Sequence, residues 1–222
     1  MLFEKTQTFN WVGALRGMRN PKNSWEKSDT SIIDDDKPHI GKNDLRLAKT
    51  LIKSGTEHRK FLRQIFVCVD ITAPLYWWKE FDTYKVSTVS NSCSTMHKLA
   101  STPITIENFE MDDFNDVSLK DVNVKKIWND LIEVCEELRL KYDETLDRRY
   151  WKELIRLLPE SWSQKRTITM NYENLLGICS KGQRRLHKLN EWSGKDYSQL
   201  PNFIQWARTL PYAKDFIFPD ET

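Results

Sequence analysis

Glycine is scarce in this chain, seven residues in 222, and the shortage excludes whole classes of site. A dinucleotide fingerprint of the form G-x-G-x-x-G and a phosphate loop of the form G-x-x-x-x-G-K-[ST] both need clustered glycines, and neither occurs. Any nucleotide bound here is held by other means. Paired cysteines are missing as well. Cys68, Cys93, Cys135 and Cys179 form no C-x-x-C pair, which argues against a zinc knuckle or a dithiol redox centre. His39, His58, His97 and His187 show no metal-ligand spacing, and neither H-E-x-x-H nor G-x-S-x-G is present. No metal is expected. The opening "MLFEKTQTFNW" holds no apolar run of export-signal type, and no segment reaches membrane-spanning length. The expectation is a cytoplasmic protein with reduced thiols and no membrane partner. A dominant charge is absent too: 34 Lys and Arg oppose 32 Asp and Glu, for a formal charge of +2. Cationic function must therefore come from local placement, and nucleic acid is not excluded as a partner.

What is present reads as a globular α+β chain, 39% hydrophobic and 30% charged. No repeat, low-complexity tract or flexible linker divides it, so one domain over 1–222 is expected. Its parts are an irregular N-terminal segment (1–42), a core (43–191) and a helical C-terminal extension (192–222). The N-terminal segment is turn-rich, and Arg16, Arg19 and Lys22 interleave there with Trp11 and Trp25. Either a basic lip beside a pocket or a surface loop pinned by two tryptophans fits that pattern.

From Asn43 the period turns helical, with Leu45, Ala48, Leu51 and Ile52 on one face, Asn43 or Asp44 as N-cap and Gly55 as terminator. Thr56 is placed to cap a short helix carrying His58, Phe61 and Leu62. "IFVCVDI" (65–71) is β-branched, with Ile65, Val67, Val69 and Ile71 on one face, and predicts a buried strand. "APLYWWKEF" suits a helix with Pro74 in its first turn. The longest helix starts after Asn123, with an apolar stripe of Val124, Ile127, Leu131, Val134, Cys135 and Leu138. Further helices are expected in "RRYWKELIRLLP", after Asn171, in the basic run "QRRLHKLNEW", and in "LPNFIQWARTLP". The fold class is thus α+β, a small and mostly antiparallel sheet packed with several helices.

One stretch stands out, "APLYWWKEFDTYKVSTVSNSCSTMH" (73–97). Large rings (Trp77, Trp78, Tyr84) lie beside two cations (Lys79, Lys85) and a run of short polar groups: Thr83, Ser87, Thr88, Ser90, Asn91, Ser92 and Ser94. Flat rings suit a heterocycle, and hydroxyls, backbone N–H groups and lysines suit its phosphates. A helix with a core aromatic face running into a hydroxyl-rich turn and strand would produce the same composition. Cys93 is expected to be a small half-buried residue without a lowered pKa, and no nucleophile is assigned to Ser92, Cys93 or Ser94.

The order of elements in "EHRKFLRQIFVCVDITAPLYWWKEFDTYKVSTVSNSCSTMH" resembles the core of the flavin-dependent thymidylate synthases. In that family a histidine-bearing helix leads to a strand, a helix and the motif R-H-R-x-x-S-x-N-x-x-S-x-R. Glu57, His58 and Phe61 resemble the entry to the strand. Thr83, Tyr84 and Lys85 fall at R-H-R and Thr88 at the first serine. Asn91 and Ser94 keep the N-x-x-S spacing after one inserted residue. "LIRLLP" (154–159) resembles the family's A-R-x-x-L-P. "TITMNYENLLGICSKGQRRLHKL" resembles the strand and helix that bring in a substrate-binding arginine, here Arg184 or Arg185. Two of the three R-H-R positions are neither basic nor imidazole, and Met96 stands at the final arginine.

The resemblance implies a homotetramer with sites at subunit interfaces, and reductive methylation of dUMP or a related pyrimidine nucleotide. FAD would pass reducing equivalents from NADPH to a methylene group supplied by methylene-tetrahydrofolate. It implies flavin contacts from His58, Lys79, Lys85 and Asn91, and substrate contacts from Thr88, Ser94, Arg184 and Arg185. The broken motif leaves two alternatives: a non-methylating nucleotide- or nucleic-acid-binding protein of the same fold, or an interaction protein whose tryptophan-rich segment is core.

Overall fold

The run expected at Ile65 to Ile71 is strand β4 (Phe66–Pro74) in a computed structural model of the protein, which describes residues 1–34, 37–94, 99–111, 119–193 and 202–221. Ile65, Val67, Val69 and Ile71 are fully buried, while Phe66, Cys68 and Asp70 on the other face are half-buried. β-branched residues at period two make this an interior strand. It lies in a four-stranded antiparallel sheet of order β1 (Leu2–Phe9), β4, β6 (Ser163–Asn171), β5 (Val89–Ser92). A separate ribbon pairs β2 (Ser31–Asp34) with β3 (Lys37–His39). With its helices this is the α+β class the sequence indicates.

The chain packs as two units: Met1–Ile71 with Asp82–Asn91 and Thr167–Thr222, and Thr72–Phe81 with Ser92–Arg166. In the first unit, the segment 1–42 departs from the irregular loop expected. It contains β1 and helix α1 (Trp11–Gly17). β1 is an edge strand that buries only Thr8, so it has no apolar alternation by which to be read. Trp11 pins the segment: it is 1% exposed, donates from Nε1 to Thr8 Oγ1 at 3.0 Å and meets Tyr172 edge-on at 5.0 Å. Trp25 does not, being half exposed.

Arg19 belongs to no basic lip. It is buried and donates from Nε to Asp44 Oδ1 at 2.6 Å. Asp44 Oδ2 accepts from Ser28 Oγ (3.0 Å), Thr30 Oγ1 (2.6 Å) and the Asp29 backbone N–H (3.0 Å). Helix α2 (Lys42–Lys53) is therefore not capped by Asn43 or Asp44. Asp29 caps it from upstream, accepting from the Asn43 and Asp44 backbone N–H groups at 2.9 Å each. Gly41 is what permits the approach, since a Cβ there would lie 2.1 Å from Asp29 Cγ. Gly55, at φ +100°, follows the helix as expected. Thr56 caps no α-helix; Lys60–Gln64 is a 3-10 turn without a side-chain cap.

In the second unit, β4 runs into helix α3 (Leu75–Phe81), and α4 (Val124–Thr145) and α5 (Arg148–Leu157) follow. Asn123 caps α4, accepting from the Lys126 N–H. The expected stripe buries only in part. Cys135 is fully buried, whereas Ile127 and Val134 are 55% and 43% exposed. The inward line passes instead through Leu131, Ile132, Cys135 and Leu138, against Leu99, Ile104, Phe109, Leu154 and Trp162.

Burial pushes the Asp44 carboxyl up, but hydrogen bonds from Thr30, Arg19, Ser28 and the Asp29 backbone outweigh it and hold the pKa below the ordinary value. A depressed folded-state pKa contributes stability above the unfolded value, near 4, and loses it as pH falls through the folded one. Asp44→Ala should thus cost about 3–5 kcal/mol near neutral pH, because it strands a buried guanidinium. Urea denaturation at about pH 7 and about pH 3 checks this: the gap between native protein and variant should narrow in acid.

Candidate functional site

The hydroxyl-rich loop is held in the first unit from two sides. Helix α6 (Tyr172–Ile178) opens with a capping box, in which Asn171 Oδ1 accepts from the Asn174 N–H and Asn174 Oδ1 from the Asn171 N–H. Asn174 still has its amide, and Nδ2 donates to the Val86 carbonyl at 2.6 Å. From helix α7 (Lys181–Arg184), Gln183 Nε2 donates to the Tyr84 hydroxyl at 3.0 Å. Within the loop, Thr88 Oγ1 donates to the Tyr84 carbonyl at 2.6 Å. Ser87 sits at φ +61°, a left-handed conformation uncommon for a side-chain-bearing residue. Tyr84 meets the Trp192 ring edge-on at 5.7 Å, and His187 stacks on Trp192 at 4.4 Å. The result is a fixed turn over an aromatic bed, with Lys85 exposed and without an ion pair to a described residue.

Of the sequence-assigned residues, this unit holds His58, Lys85, Thr88, Asn91, Arg184 and Arg185. His58, Lys85, Asn91 and Arg185 are exposed and Thr88 is half-buried. Arg184 is committed elsewhere. Its Nη1 donates to the Cys179 carbonyl, and its Nη2 lies 3.0 Å from both Asp220 Oδ2 and Glu221 Oε1. One correction concerns this stretch. "QRRLHKLNEW" is not one helix: α7 ends at Arg184 and a separate turn, α8 (Asn190–Ser193), follows. Arg59 and Arg63 both bond Glu173 of α6. Met96 and His97 lie outside the described residues.

In the second unit Trp77 and Trp78 are fully buried, so neither offers a face to a ligand. This overturns their reading as stacking surfaces. Trp78 Nε1 donates to the Gln164 carbonyl at 2.9 Å, and the Arg166 guanidinium covers its ring at 4.3 Å. Lys79 is exposed and pairs with Glu160 at 2.7 Å. Ser94 lines a cavity of about 400 Å³ with Cys93, Ser101, Thr102, Gln164 and Lys165 among its walls, a volume within the usual range for small-ligand sites. Gln164, missed from sequence, organises one wall: Nε2 donates to the Cys93 carbonyl and Oε1 accepts from Arg166 Nε, each at 2.9 Å. Glu136 lines a separate groove with Ile104. Its pKa is lowered by the bond from Arg139, and it also accepts from the Ile104 N–H at 2.7 Å.

Asn174 was legible in principle, as the N-x-x-N spacing from Asn171 is a capping-box signal. Gln164 and Gln183 show no local pattern. Among the described residues no three His, Cys, Asp or Glu side chains gather as metal ligands, and no described helix is long and apolar enough to cross a membrane.

An α+β chain with this sheet and a pinned hydroxyl loop belongs to a recognised fold. No family model and no curated protein sequence matches the chain. Solved structures do. A crystal structure of the flavin-dependent thymidylate synthase ThyX from Helicobacter pylori, complexed with FAD and dUMP, superposes with a TM-score of 0.61 at 15% identity over 99% of both chains. A second structure of Helicobacter pylori ThyX, also with FAD and dUMP, gives 0.59 at 15% identity over 97% of this chain and 98% of that one. The protein has the flavin-dependent thymidylate synthase fold from end to end.

Cys93 is exposed, not half-buried as expected, while Cys135 and Cys179 are buried and burial pushes both thiols up. Titration of the folded protein with Ellman's reagent should show Cys93 as the fast-reacting thiol. The fast phase should vanish in Cys93→Ser, with the slow phases unchanged.

Proposed function

We propose that this protein is a flavin-dependent thymidylate synthase-like enzyme that methylates dUMP or a related pyrimidine deoxynucleotide. The observation behind the reading is the end-to-end likeness of fold to two proteins solved with FAD and dUMP. Two features of the chain support it: a small-ligand cavity bordered by Ser94, and a hydrogen-bonded hydroxyl loop that presents Lys85, which has no ion pair to a described residue.

The donor set fits the phosphates and amide edges of such ligands better than their rings. Lys85 supplies charge, and Asn91 and His58 supply side-chain hydrogen-bonding groups at the surface of the first unit. Thr88, whose hydroxyl is turned onto Tyr84, acts by holding the loop. Arg185, exposed and next to the committed Arg184, is the arginine available to a nucleotide phosphate. Trp77 and Trp78 contribute no stacking. Bound FAD would supply the hydride chemistry between NADPH and the methylene group of the folate, leaving the chain to bind, orient and exclude water. A homotetramer in the cytoplasm accompanies this reading.

An absorbance spectrum after FAD addition and gel filtration provides the test. Retained flavin bands between about 300 and 550 nm are expected. Lys85→Ala and Arg185→Ala should each weaken dUMP binding about tenfold, or roughly 1.4 kcal/mol, by calorimetry. A folded protein that retains no flavin and binds no dUMP would exclude the reading.

A further inference from the structure

Helix α2 carries a second cationic feature, made of residues not assigned above. Lys42, Arg46, Lys49 and Lys53 recur at steps of four, three and four, so they fall on one line down the helix. By the helical rise the line is about 17 Å long, with charges about 6, 4.5 and 6 Å apart along the axis. Lys42, Arg46 and Lys53 are exposed. With Leu45 and Thr50 the four basic residues line a shallow groove of about 400 Å³.

The acidic groups nearby leave most of this charge uncompensated. Asp215 pairs with Lys49 at 2.7 Å. Asp29 is bonded to the helix N-terminal N–H groups, and Asp44 is buried on the opposite side with Arg19. Lys42, Arg46 and Lys53 form no ion pair with a described residue. In a chain of formal charge +2, three exposed cations on one helix line with no ion pair to a described residue are a concentration, and a local row of this kind attracts a polyanion.

We propose that this face of α2 binds the phosphodiester backbone of a single-stranded nucleic acid without reading its bases. The row is straight, so a flexible strand can follow it, whereas a duplex backbone curves away. The groove holds no aromatic ring on which a base would stack, and Thr50 is its sole uncharged polar side chain, so sequence preference is absent. Leu45 is its sole apolar side chain and is half-buried, which leaves little surface for a docked acidic peptide.

Counterion release makes the proposal quantitative. Each neutralised phosphate contributes about −0.7 to the slope of log K against log salt for a single strand. Anisotropy titration of a labelled oligothymidylate should give a slope of about −2 for three contacts, and Lys42→Ala/Arg46→Ala should reduce its magnitude by about 1.4. Both positions are exposed, and unchanged circular dichroism and Tm would show that the variant folds. The charge-matched double variant Lys125→Ala/Lys152→Ala, also at exposed positions, should leave the slope unchanged. No binding at low salt would overturn the proposal, as would equal losses in the two variants. Tighter binding of a duplex, or of poly-glutamate at equal charge, would overturn the single-strand assignment.

Discussion

One amide side chain joins the scaffold to the loop that the functional reading depends on. Asn174 closes the N-terminus of α6 through its oxygen and holds Val86 through its nitrogen. A helix N-terminus that is capped reciprocally is rigid, because two otherwise unpartnered N–H groups are satisfied at once. The turn from Tyr84 to Thr88 inherits that rigidity. Gln183 and the Trp192 bed fix its other end, and Ser87, at positive φ, sits between the hydrogen-bonded Val86 and Thr88. Strain of this kind persists where surrounding bonds over-determine it, and it is common where a backbone has to face a ligand.

The cations divide sharply between those already paired and those left over. Arg184 and Arg208 close onto Asp220 and Glu221, with both guanidinium groups over Phe218. Arg59 and Arg63 share Glu173, and Arg19 is buried with Asp44. These arginines tie segments distant in sequence, work to which a planar multidentate group is suited. Lys85 and Arg185 on one part of the first unit, and Lys42, Arg46 and Lys53 on α2, remain at the surface. Composition hides this, because a net charge near zero says nothing about which charges are neutralised.

Much of the architecture was legible. β-branched alternation marked β4, and Asn123 and Asn171 marked the helices they cap; Pro74, expected in the first turn of α3, is instead the last residue of β4. What was not legible depended on partners distant in sequence. Asp29 displaces Asn43 as the cap of α2 because Asp44 is drawn inward by Arg19. β1 leaves no apolar pattern because an edge strand need bury little. "QRRLHKLNEW" breaks after α7, where its basic residues separate into Arg184, tied to the C-terminus, and exposed Arg185. At the candidate site, the rings taken from sequence as stacking surfaces are not available: Trp77 and Trp78 are core, and the ring packed against Tyr84 of the loop is Trp192. Periodicity cannot separate a core aromatic face from a ligand platform when the helix is as short as α3.

The functional reading therefore rests on a surface turn of known construction within a fold shared with proteins that bind FAD and dUMP. Hydrogen–deuterium exchange with and without saturating dUMP tests it most directly, since it locates the ligand without assuming a reaction. Protection centred on residues 82–94 and on the α6–α7 segment that anchors them is the predicted result. Protection confined to other parts of the chain, or none at saturation, would contradict it.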